Sequence, residues 1–233
     1  MTTCIISVEG NIGSGKSTFV KALHKYYEGN SNIFFLQEPV NIWETIKNEL
    51  GENIIQCFYS NQEKYAFSFQ MMAYISRLSL LKKAVANNYK YIITERCVFT
   101  DRNVFAKMLF DSGKMEKINF EIYNKWFDEF INEFNNFKYI YIKTDPYTAY
   151  DRVNKRSRIG ETIPIEYLEQ CNNYHNDWLN SINSDNITVF DGNIERNNND
   201  LYNDWITIIN NIKLIDLKIN IPSLSNINFD KLI

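Results

Sequence analysis

The chain has 233 residues, which is long enough for one substantial hydrophobic core and typical of a single α/β domain. Hydrophobic residues make up 45% of it and charged residues 23%, a balance that excludes an intrinsically disordered chain and indicates a globular one. The formal net charge of −3 argues against a general nucleic-acid binder or a membrane-surface binder, because both need a broad cationic face. An anionic ligand would therefore have to be bound by a local cluster of positive charge.

The cysteines and the N-terminus bear on the location of the protein. Cys4, Cys57, Cys97 and Cys171 are scattered without a C-x-x-C pair, which predicts neither a zinc site nor a disulfide framework and favours a reducing compartment. No apolar run approaches the roughly 20 residues that a membrane helix requires. The segment MTTCIISVEG lacks the basic region of a targeting signal. We therefore expect a cytoplasmic protein that binds neither membrane nor nucleic acid.

Five short runs rich in β-branched and aromatic residues predict strands of a parallel sheet. They are CIISV (4–8), IFFLQ (33–37), YIITE (91–95), YIYIK (139–143) and ITVF (187–190). Segments with helical periodicity lie between and after them, at 17–29, 54–87, 100–110, 119–134, 146–156, 164–180 and 199–211. Strands that alternate with helices predict a doubly wound α/β fold. We expect a single domain over 1–233, with the tail after about 213 unassigned.

The segment VEGNIGSGKST (8–18) contains the pattern G-x-x-x-x-G-K-S between a predicted strand and a predicted helix. In that context the pattern is typical of a phosphate-binding loop, whose backbone N–H groups surround an anion. Lys16 is expected to reach the β- and γ-phosphates and Ser17 to ligate Mg²⁺. The residues predicted to bind the nucleotide are Gly10, Asn11, Ile12, Gly13, Ser14, Gly15, Lys16, Ser17 and Thr18. The loop alone does not distinguish a switch or a motor from a kinase.

Acidic residues follow two further predicted strands. Glu38 comes after the second strand, and Glu95 and Arg96 end the third. Ligands bind at the carboxyl ends of the strands in an open parallel sheet, so these residues should meet the phosphate loop at one edge. Two carboxylates there offer a general base and a metal ligand, and an arginine neutralises transferring charge. The structural alternatives are a solvated loop acid for Glu38 and a salt-bridged pair for Glu95 and Arg96.

Two other segments have features of a nucleotide site. The segment YDRVNKRSRIGETIP (150–164) places Arg152 and Arg156 on one helical face before a loop with Gly160, which predicts a basic lid over about 152–163. A solvated charged face is its alternative interpretation. In FSFQMMAYISR (67–77), Phe69 and Gln70 offer a ring and an amide to a flat base, although such helices more often contribute to the core.

In this order the motifs resemble the deoxynucleoside kinase family, which includes deoxycytidine, deoxyguanosine and mitochondrial thymidine kinases and, more distantly, herpesvirus thymidine kinases. The resemblance extends from residue 5 to about 192 and rests on EGNIGSGKST, QEPVNIW, FYSNQEKYAFSFQMMAYISR, ERCVFTDRNVFAKML, YDRVNKRSRIGETIP and IEYLEQCNNYHNDWL. It implies a P-loop kinase fold with about five parallel strands, helices on both faces and a basic lid. It also implies ATP with Mg²⁺ as the phosphoryl donor, a homodimer, and a function in nucleotide salvage and DNA precursor synthesis.

The resemblance implies a role for each matching residue. Glu38 of E-P-V would accept the 5′-hydroxyl proton, Glu95 would lie nearer the metal with Ser17, and Arg96 would organise the transferred phosphoryl group. The lid arginines expected to contact the ATP phosphates or stack on adenine are Arg152, Arg156 and Arg158. Tyr59 and Glu161 would hold the sugar 3′-hydroxyl. Gln70 would read the base between Phe69 and Phe105, in a pocket lined by Val40, Trp43 and Ile55.

Two polar residues of this pocket bear on the choice of base. Thymidine-accepting members of the family have neutral residues where this chain has Arg77 and Asp101. An Arg–Asp pair presents charge-assisted donors and an acceptor to a base edge. The resemblance therefore implies 5′-phosphorylation of deoxyadenosine, deoxyguanosine or deoxycytidine in preference to thymidine.

Two other functions remain open at this point. A nucleoside monophosphate kinase such as thymidylate kinase shares the fold, phosphate loop and lid, but it needs additional cationic residues for the phosphate of its acceptor. A P-loop switch is the second alternative. A guanine-specific switch needs an N-K-x-D motif after a strand, and the fourth predicted strand is followed by IKTDP instead.

Overall fold

The computed structural model describes residues 3–157, 163–196, 202–212 and 214–215. Within these residues the strands are β1 (Cys4–Glu9), β2 (Ile33–Leu36), β3 (Tyr91–Glu95), β4 (Phe137–Lys143) and β5 (Ile187–Asp191). They form one five-stranded sheet in the order β2-β3-β1-β4-β5, and every neighbouring pair is parallel. The five predicted strands and the parallel α/β sheet are thus confirmed.

The described residues also form ten α-helices. They are α1 (Lys16–Tyr26), α2 (Val40–Thr45), α3 (Ile54–Ser60), α4 (Gln62–Ala86), α5 (Val98–Thr100), α6 (Lys107–Asp111), α7 (Lys117–Ile131), α8 (Pro146–Arg156), α9 (Ile165–Asn180) and α10 (Asn203–Asn211). A π-helical segment, Asp101–Ala106, joins α5 directly to α6. The short helix α2 was not predicted, because six residues are too few to show a helical period.

The prediction of one helical tract over 54–87 is wrong, because Asn61 separates α3 from α4. The φ and ψ angles of Asn61 are −152° and 86°, far from helical values. Its backbone N–H donates to the Cys57 carbonyl at 3.0 Å, and its side-chain oxygen accepts from the Lys64 N–H at 3.1 Å. Asn61 therefore ends one helix and caps the next, as asparagine commonly does. Hydrophobic periodicity alone does not show such a break.

The central strands are buried on both faces of the sheet. Consecutive residues of a strand point to opposite faces, and both members of the pairs Ile5–Ile6 and Ile92–Ile93 are buried. Ile5 and Ile92 belong to a core cluster that includes Leu78 of α4 and Phe127 of α7. Helices thus cover the sheet, as the continuous apolar runs of the strands predict for a parallel arrangement.

The register of the sheet aligns the carboxyl ends of the strands that bear the predicted motifs. Val8 of β1 pairs with Glu95 of β3, so the phosphate loop after β1 and the residues after β3 begin side by side. β2, which leads into Glu38, pairs with β3 on its other side. This edge of the sheet is where an open parallel sheet binds ligands.

The described residues divide into two compact units, one ending at Tyr202 and one beginning at Asn203 with α10. The single domain over 1–233 therefore stays a prediction. None of the helices within the described ranges is both long enough and apolar enough to cross a membrane.

Candidate active site

The backbone of the phosphate loop has the conformation that its glycines predict. Gly13 and Gly15 have φ angles of 82° and 95°, in the left-handed region that favours glycine. A Cβ atom on Gly13 would collide with the Ala149 carbonyl oxygen of α8, so only glycine fits that position. Gly15 is also the N-cap of α1. The loop therefore presents the positive end of a helix to the edge of the sheet, which suits an anion.

Lys16 lies folded over this loop and is almost completely buried. Its Nζ donates to the Asn11 carbonyl at 2.6 Å and to Ser14 Oγ at 3.4 Å. Burial and the neighbouring Arg96 lower the pKa of Lys16 to about 7, although the nearby carboxylates oppose the change. Since Lys16 forms no ion pair with a carboxylate among the described residues, its charge is available to an incoming phosphate.

Ser17 and Glu95 form a pair of oxygen donors beside the loop. Ser17 Oγ donates to Glu95 Oε1 at 2.7 Å. Hydroxyl and carboxylate oxygens suit Mg²⁺, which usually takes one or two protein ligands and completes its shell with phosphate oxygens and water. In the part of the chain that the structure describes, no group of three or more His, Cys, Asp or Glu residues is placed to hold a metal. The Ser17–Glu95 pair fits a magnesium ion that arrives with a nucleotide.

Glu38 is held by two arginines at the mouth of the site. Glu38 Oε1 accepts from Arg77 Nη2 at 3.0 Å and from Arg96 Nη1 at 3.1 Å. Arg77 also donates to Asp101 Oδ2 at 2.9 Å and to the Glu95 carbonyl at 2.9 Å. The structure thus brings five predicted residues into one hydrogen-bonded network. They are Glu38, Arg77, Glu95, Arg96 and Asp101.

The charges in this network stabilise each other. Burial raises the pKa of Glu38, but Arg96, Arg77 and Lys16 outweigh it and hold that pKa at about 2. Burial raises the pKa of Asp101 to about 6, while Arg77 opposes the change and keeps this carboxyl group ionised at neutral pH. Burial would lower the pKa of Arg77, yet Asp101 and Glu38 raise it above its usual value. The network therefore presents ionised carboxylates at neutral pH.

Arg96 reaches the site from a strained backbone conformation. Its φ angle is 58°, in the left-handed region that costs a non-glycine residue roughly 1–2 kcal/mol. Bonds on both sides hold it, from the Arg96 N–H to the Val8 carbonyl at 3.0 Å and from Thr94 Oγ1 to the Arg96 carbonyl at 2.8 Å. Its Nη2 lies 3.4 Å from the Gly10 carbonyl. The conformation turns the guanidinium toward both the phosphate loop and Glu38.

A cavity of about 1100 Å³ extends along this edge of the sheet. The predicted residues that line it are Ile12, Gly13, Gly15, Lys16, Ser17, Thr18, Glu38, Val40, Trp43, Ile55, Tyr59, Phe69, Gln70, Glu95, Arg96, Asp101, Phe105, Arg152 and Arg156. Gly10, Asn11 and Ser14 belong to the loop but do not line the cavity, and Asn11 donates to the Leu168 carbonyl of α9 at 2.8 Å. Arg77 does not line the cavity. It contacts Glu38 and Asp101, which do, and it can affect a ligand there through these two residues.

Two buried polar atoms of residues that line the cavity, Gln70 Oε1 and Arg96 Nε, have no hydrogen-bond partner among the described residues. Gln70 is almost completely buried, and its Oε1 forms no hydrogen bond within the structure. A buried amide oxygen without a partner is costly unless a ligand satisfies it. Phe69, next to Gln70, packs edge-on against Trp43 with ring centroids 5.6 Å apart. The arrangement provides a hydrogen-bonding group beside apolar rings, as the sequence predicts for a base.

The lid is described only at its beginning. Arg152 Nη1 donates to the Gly192 carbonyl at 2.7 Å, and Nη2 lies 3.4 Å from the Ile194 carbonyl, so α8 contacts the loop after β5. Arg156 lines the cavity. Arg158 and Glu161 lie outside the described residues, and their predicted roles stay predictions.

Sequence reasoning did not identify several residues of the cavity wall, among them Phe58, Ala73 and Tyr167. Ala73 follows Gln70 by three residues on α4, so helical spacing would place it on the same face. Phe58 precedes the predicted Tyr59. Tyr167 is part of α9, beyond the lid, and no local pattern indicated it; its ring meets that of Tyr59 edge-on at 6.4 Å.

Comparisons with known proteins agree with this geometry. The family model described as deoxynucleoside kinase matches residues 6–213. A putative kinase of Invertebrate iridescent virus 3 is 33% identical over 190 residues, which cover 81% of this chain and 88% of the relative. A probable deoxycytidine kinase of Fowlpox virus is 34% identical over 188 residues, which cover 79% of this chain and 75% of the relative. Human deoxycytidine kinase is 34% identical, with 75% and 74% covered.

The matched range includes every described element of the site, from the phosphate loop to the loop after β5. The chain therefore belongs to the deoxynucleoside kinase family and is an enzyme that phosphorylates deoxynucleosides.

Proposed function

We propose that the enzyme transfers the γ-phosphoryl group of ATP to the 5′-hydroxyl of deoxyadenosine, deoxyguanosine or deoxycytidine in preference to thymidine. The observation that supports this reaction is the position of Glu38, an ionised carboxylate held by Arg77 and Arg96 in the wall of the cavity that Lys16 also lines. A base for the acceptor and a cation for the donor phosphates thus share one cavity.

In this reaction Glu38 accepts the proton of the 5′-hydroxyl as the oxygen attacks the γ-phosphorus. Its low pKa keeps it ionised, and the two arginines fix its orientation. The pKa of Glu38 is far below that of an alcohol, so the proton is transferred late in the reaction, when the 5′-oxygen has already donated electron density to the γ-phosphorus. Lys16 and Arg96 stabilise the charge on the transferred group, and Arg152 and Arg156 contact the nucleotide from α8.

Ser17 and Glu95 would hold Mg²⁺, which neutralises phosphate charge and orients the donor when bound. In the protein alone, the hydrogen bond from Ser17 Oγ to Glu95 Oε1 already holds these two oxygens next to each other. The positions of the two carboxylates support the metal role of Glu95 and the base role of Glu38. Glu95 contacts the phosphate-loop serine, whereas Glu38 contacts the acceptor-side Arg77.

The preference for bases other than thymine rests on Arg77, Asp101 and Gln70. The Arg77–Asp101 pair is buried and fixed by its hydrogen bond, so Asp101 presents a charged oxygen at the cavity wall. Gln70 Oε1 offers an acceptor without a partner. A base with an exocyclic amino group would donate to both. The similar proteins of Fowlpox virus and human are named deoxycytidine kinases, which agrees with this preference.

We also propose that two copies of the chain pair through an exposed apolar face, as the resemblance implies. Ile118, Ile122 and Trp126 recur at intervals of four on α7, and all are exposed together with Ile75 of α4. Tyr74 Oη donates to the Trp126 carbonyl at 3.1 Å, so the two helices are joined beneath this face. Light scattering should give twice the mass of the chain, and a monomer at micromolar concentration would refute the pairing.

The test of the reaction is Glu38→Gln. We expect kcat to fall by about 10²-fold, the usual scale for the loss of a general base. Steady-state phosphorylation of deoxycytidine with Mg-ATP measures it, and Glu49→Gln, which changes an exposed glutamate outside the cavity, is the matched control. Full activity of Glu38→Gln would refute its assignment as the base.

A panel of acceptors tests the substrate. Four deoxynucleosides, four ribonucleosides and the corresponding monophosphates are compared at the same Mg-ATP concentration. We expect the deoxynucleosides other than thymidine to have the highest kcat/KM. Thymidine as the best acceptor would refute the base preference, and monophosphates as the better acceptors would favour a nucleoside monophosphate kinase.

A further inference from the structure

Glu9 is a buried acid that the proposed reaction does not use. It is the last residue of β1, directly before the phosphate loop, and it is 0% exposed. One carboxylate oxygen accepts from Ser7 Oγ at 2.5 Å and the other from Thr100 Oγ1 at 2.7 Å. No lysine or arginine of the described residues forms an ion pair with it. A buried carboxylate without a cationic partner is energetically costly, and here two hydrogen bonds offset part of that cost. The role of these two bonds therefore needs an explanation.

The two hydroxyls that Glu9 accepts from belong to different parts of the site. Ser7 belongs to the same strand as Glu9, so this bond stays within β1. Thr100 is the last residue of α5 and directly precedes the π-helical segment that bears Asp101 and Phe105. Thr100 is also 0% exposed. The Glu9–Thr100 bond therefore joins the strand of the phosphate loop to the helix of the base pocket.

The two ends of this bond lie in different kinds of backbone. β1 is the central strand, with β3 and β4 hydrogen-bonded on its two sides. The segment Asp101–Ala106 is π-helical, a form that proteins use rarely and in short pieces, often at functional sites. If the bond were lost, the helix and not the strand would move. Asp101 and Phe105 would then shift relative to the cavity.

We propose that Glu9 is a positioning residue for the deoxynucleoside: through Thr100 it fixes the π-helical segment, and with it Asp101 and Phe105, against the base. The inference rests on the proposed function, because Asp101 and Phe105 matter only if a base lies beside them. Glu9 itself contacts neither substrate. The effect of its hydrogen bond to Thr100 should therefore appear in the parameters of the deoxynucleoside and not in those of ATP.

Three variants separate this role from a general contribution to stability. Thr100→Val removes the hydroxyl and keeps the shape, and Thr100→Ser restores the hydroxyl. Ser7→Ala is the matched control, because it removes the other hydrogen bond to the same carboxylate and leaves the Thr100 hydroxyl in place. For each variant the KM for deoxycytidine, the KM for ATP, kcat and the melting temperature are measured.

We expect Thr100→Val to raise the KM for deoxycytidine by about 10-fold, the effect of losing one hydrogen bond to a charged group. The KM for ATP should change by less than about 2-fold, and Thr100→Ser should restore the KM for deoxycytidine. Ser7→Ala should lower the melting temperature without this change in KM. If Ser7→Ala and Thr100→Val change the KM for deoxycytidine equally, or if neither changes it, the inference is wrong.

Two further measurements keep the result unambiguous. If Thr100→Val does not fold, Thr100→Ala replaces it, since the smaller side chain causes no overlap, and the comparison with Thr100→Ser is the same. Glu9→Gln combined with Thr100→Val should raise the KM for deoxycytidine no further than the stronger single variant, because the Glu9–Thr100 hydrogen bond is altered in both. If the two substitutions instead raise the KM for deoxycytidine independently, so that their effects multiply, the inference is wrong. Activity of the unaltered enzyme on deoxynucleosides is measured first, so that failure of the proposed function is recognised separately.

Discussion

In the proposed reaction, the phosphoryl donor and the acceptor bind in two halves of the site that are built in different ways. The donor half is centred on one contiguous loop, Gly10–Thr18, whose backbone offers an anion site and whose single buried cation is Lys16. The acceptor half combines side chains from three places in the chain: Glu38 after β2, Gln70 and Arg77 on α4, and Asp101 in the π-helical segment. A backbone site accepts any phosphate chain, whereas an assembled side-chain site selects a particular base.

This difference predicts how substitutions act. A change in the loop should abolish phosphoryl transfer for every acceptor alike. A change in the acceptor half should alter the ranking of acceptors, because its side chains are paired with each other and must be changed together. Two experiments test the separation of the halves and a third tests α9, which contacts both; they follow in order of decreasing effect.

The largest effect is expected for Lys16→Met. Loss of the cation that the loop itself contributes should lower kcat by roughly 10³-fold, the upper scale for removing one group that stabilises transition-state charge. The Kd for deoxycytidine, measured by calorimetry in the absence of ATP, should stay the same. Lys25→Met, at an exposed position of the same helix, is the control. A comparable loss of deoxycytidine binding would show that the two halves are not separate.

A smaller effect is expected for the ion pair of the acceptor half. Arg77→Met leaves Asp101 buried without its partner, so this single variant should have a lower free energy of unfolding than the unaltered protein. Arg77→Met with Asp101→Ala removes both charges and should recover stability. In the double variant the ratio of kcat/KM for thymidine to that for deoxycytidine should rise at least about 10-fold. An unchanged ratio would contradict the assignment of this pair to base selection.

The smallest effect concerns α9, which contacts both halves. Its Leu168 carbonyl accepts from Asn11 of the loop, and its buried His175 lies edge-on to Phe105 with ring centroids 6.2 Å apart. Burial, with Arg96 and Lys16, lowers the pKa of His175 to about 3. The unfolded chain binds this proton below about pH 6.5 and the folded chain does not. The free energy of unfolding should therefore decrease as the pH falls from 6.5 toward 3.

Comparison with His175→Asn isolates this contribution. Below pH 6.5 the unaltered protein should lose up to about 1.4 kcal/mol per pH unit more than the variant, as the linkage of one proton requires. Urea unfolding between pH 7.5 and 4.5 measures the difference. His24→Asn is the matched control, because His24 is exposed and is the one other histidine of the chain. Parallel curves for the unaltered protein and His175→Asn would contradict the prediction.

The sequence allowed prediction of the sheet and the donor half because their signals are local. A buried parallel strand is a continuous apolar run, and a phosphate loop needs glycine at fixed spacings. The acceptor residues were predicted by resemblance, and the structure places them together, yet their bonds were not predictable. The contact of Arg77 with Glu38 depends on tertiary packing that no spacing encodes. The contribution of Tyr167 was missed for the same reason, whereas the break at Asn61 is a local capping feature that hydrophobic periodicity does not show.

The π-helical segment makes the number of residues between its ends as important as their identity. Val98 and Thr100 before the segment and Met108 and Leu109 after it are all buried. Each residue of an α-helix turns the chain by about 100°, so deletion of one residue from the segment would rotate one end relative to the other by that angle. The shortened helix would have ordinary hydrogen bonds, but it could not bury both ends. Substitutions can change which base this enzyme selects, whereas a change in the length of this helix would remove the pocket.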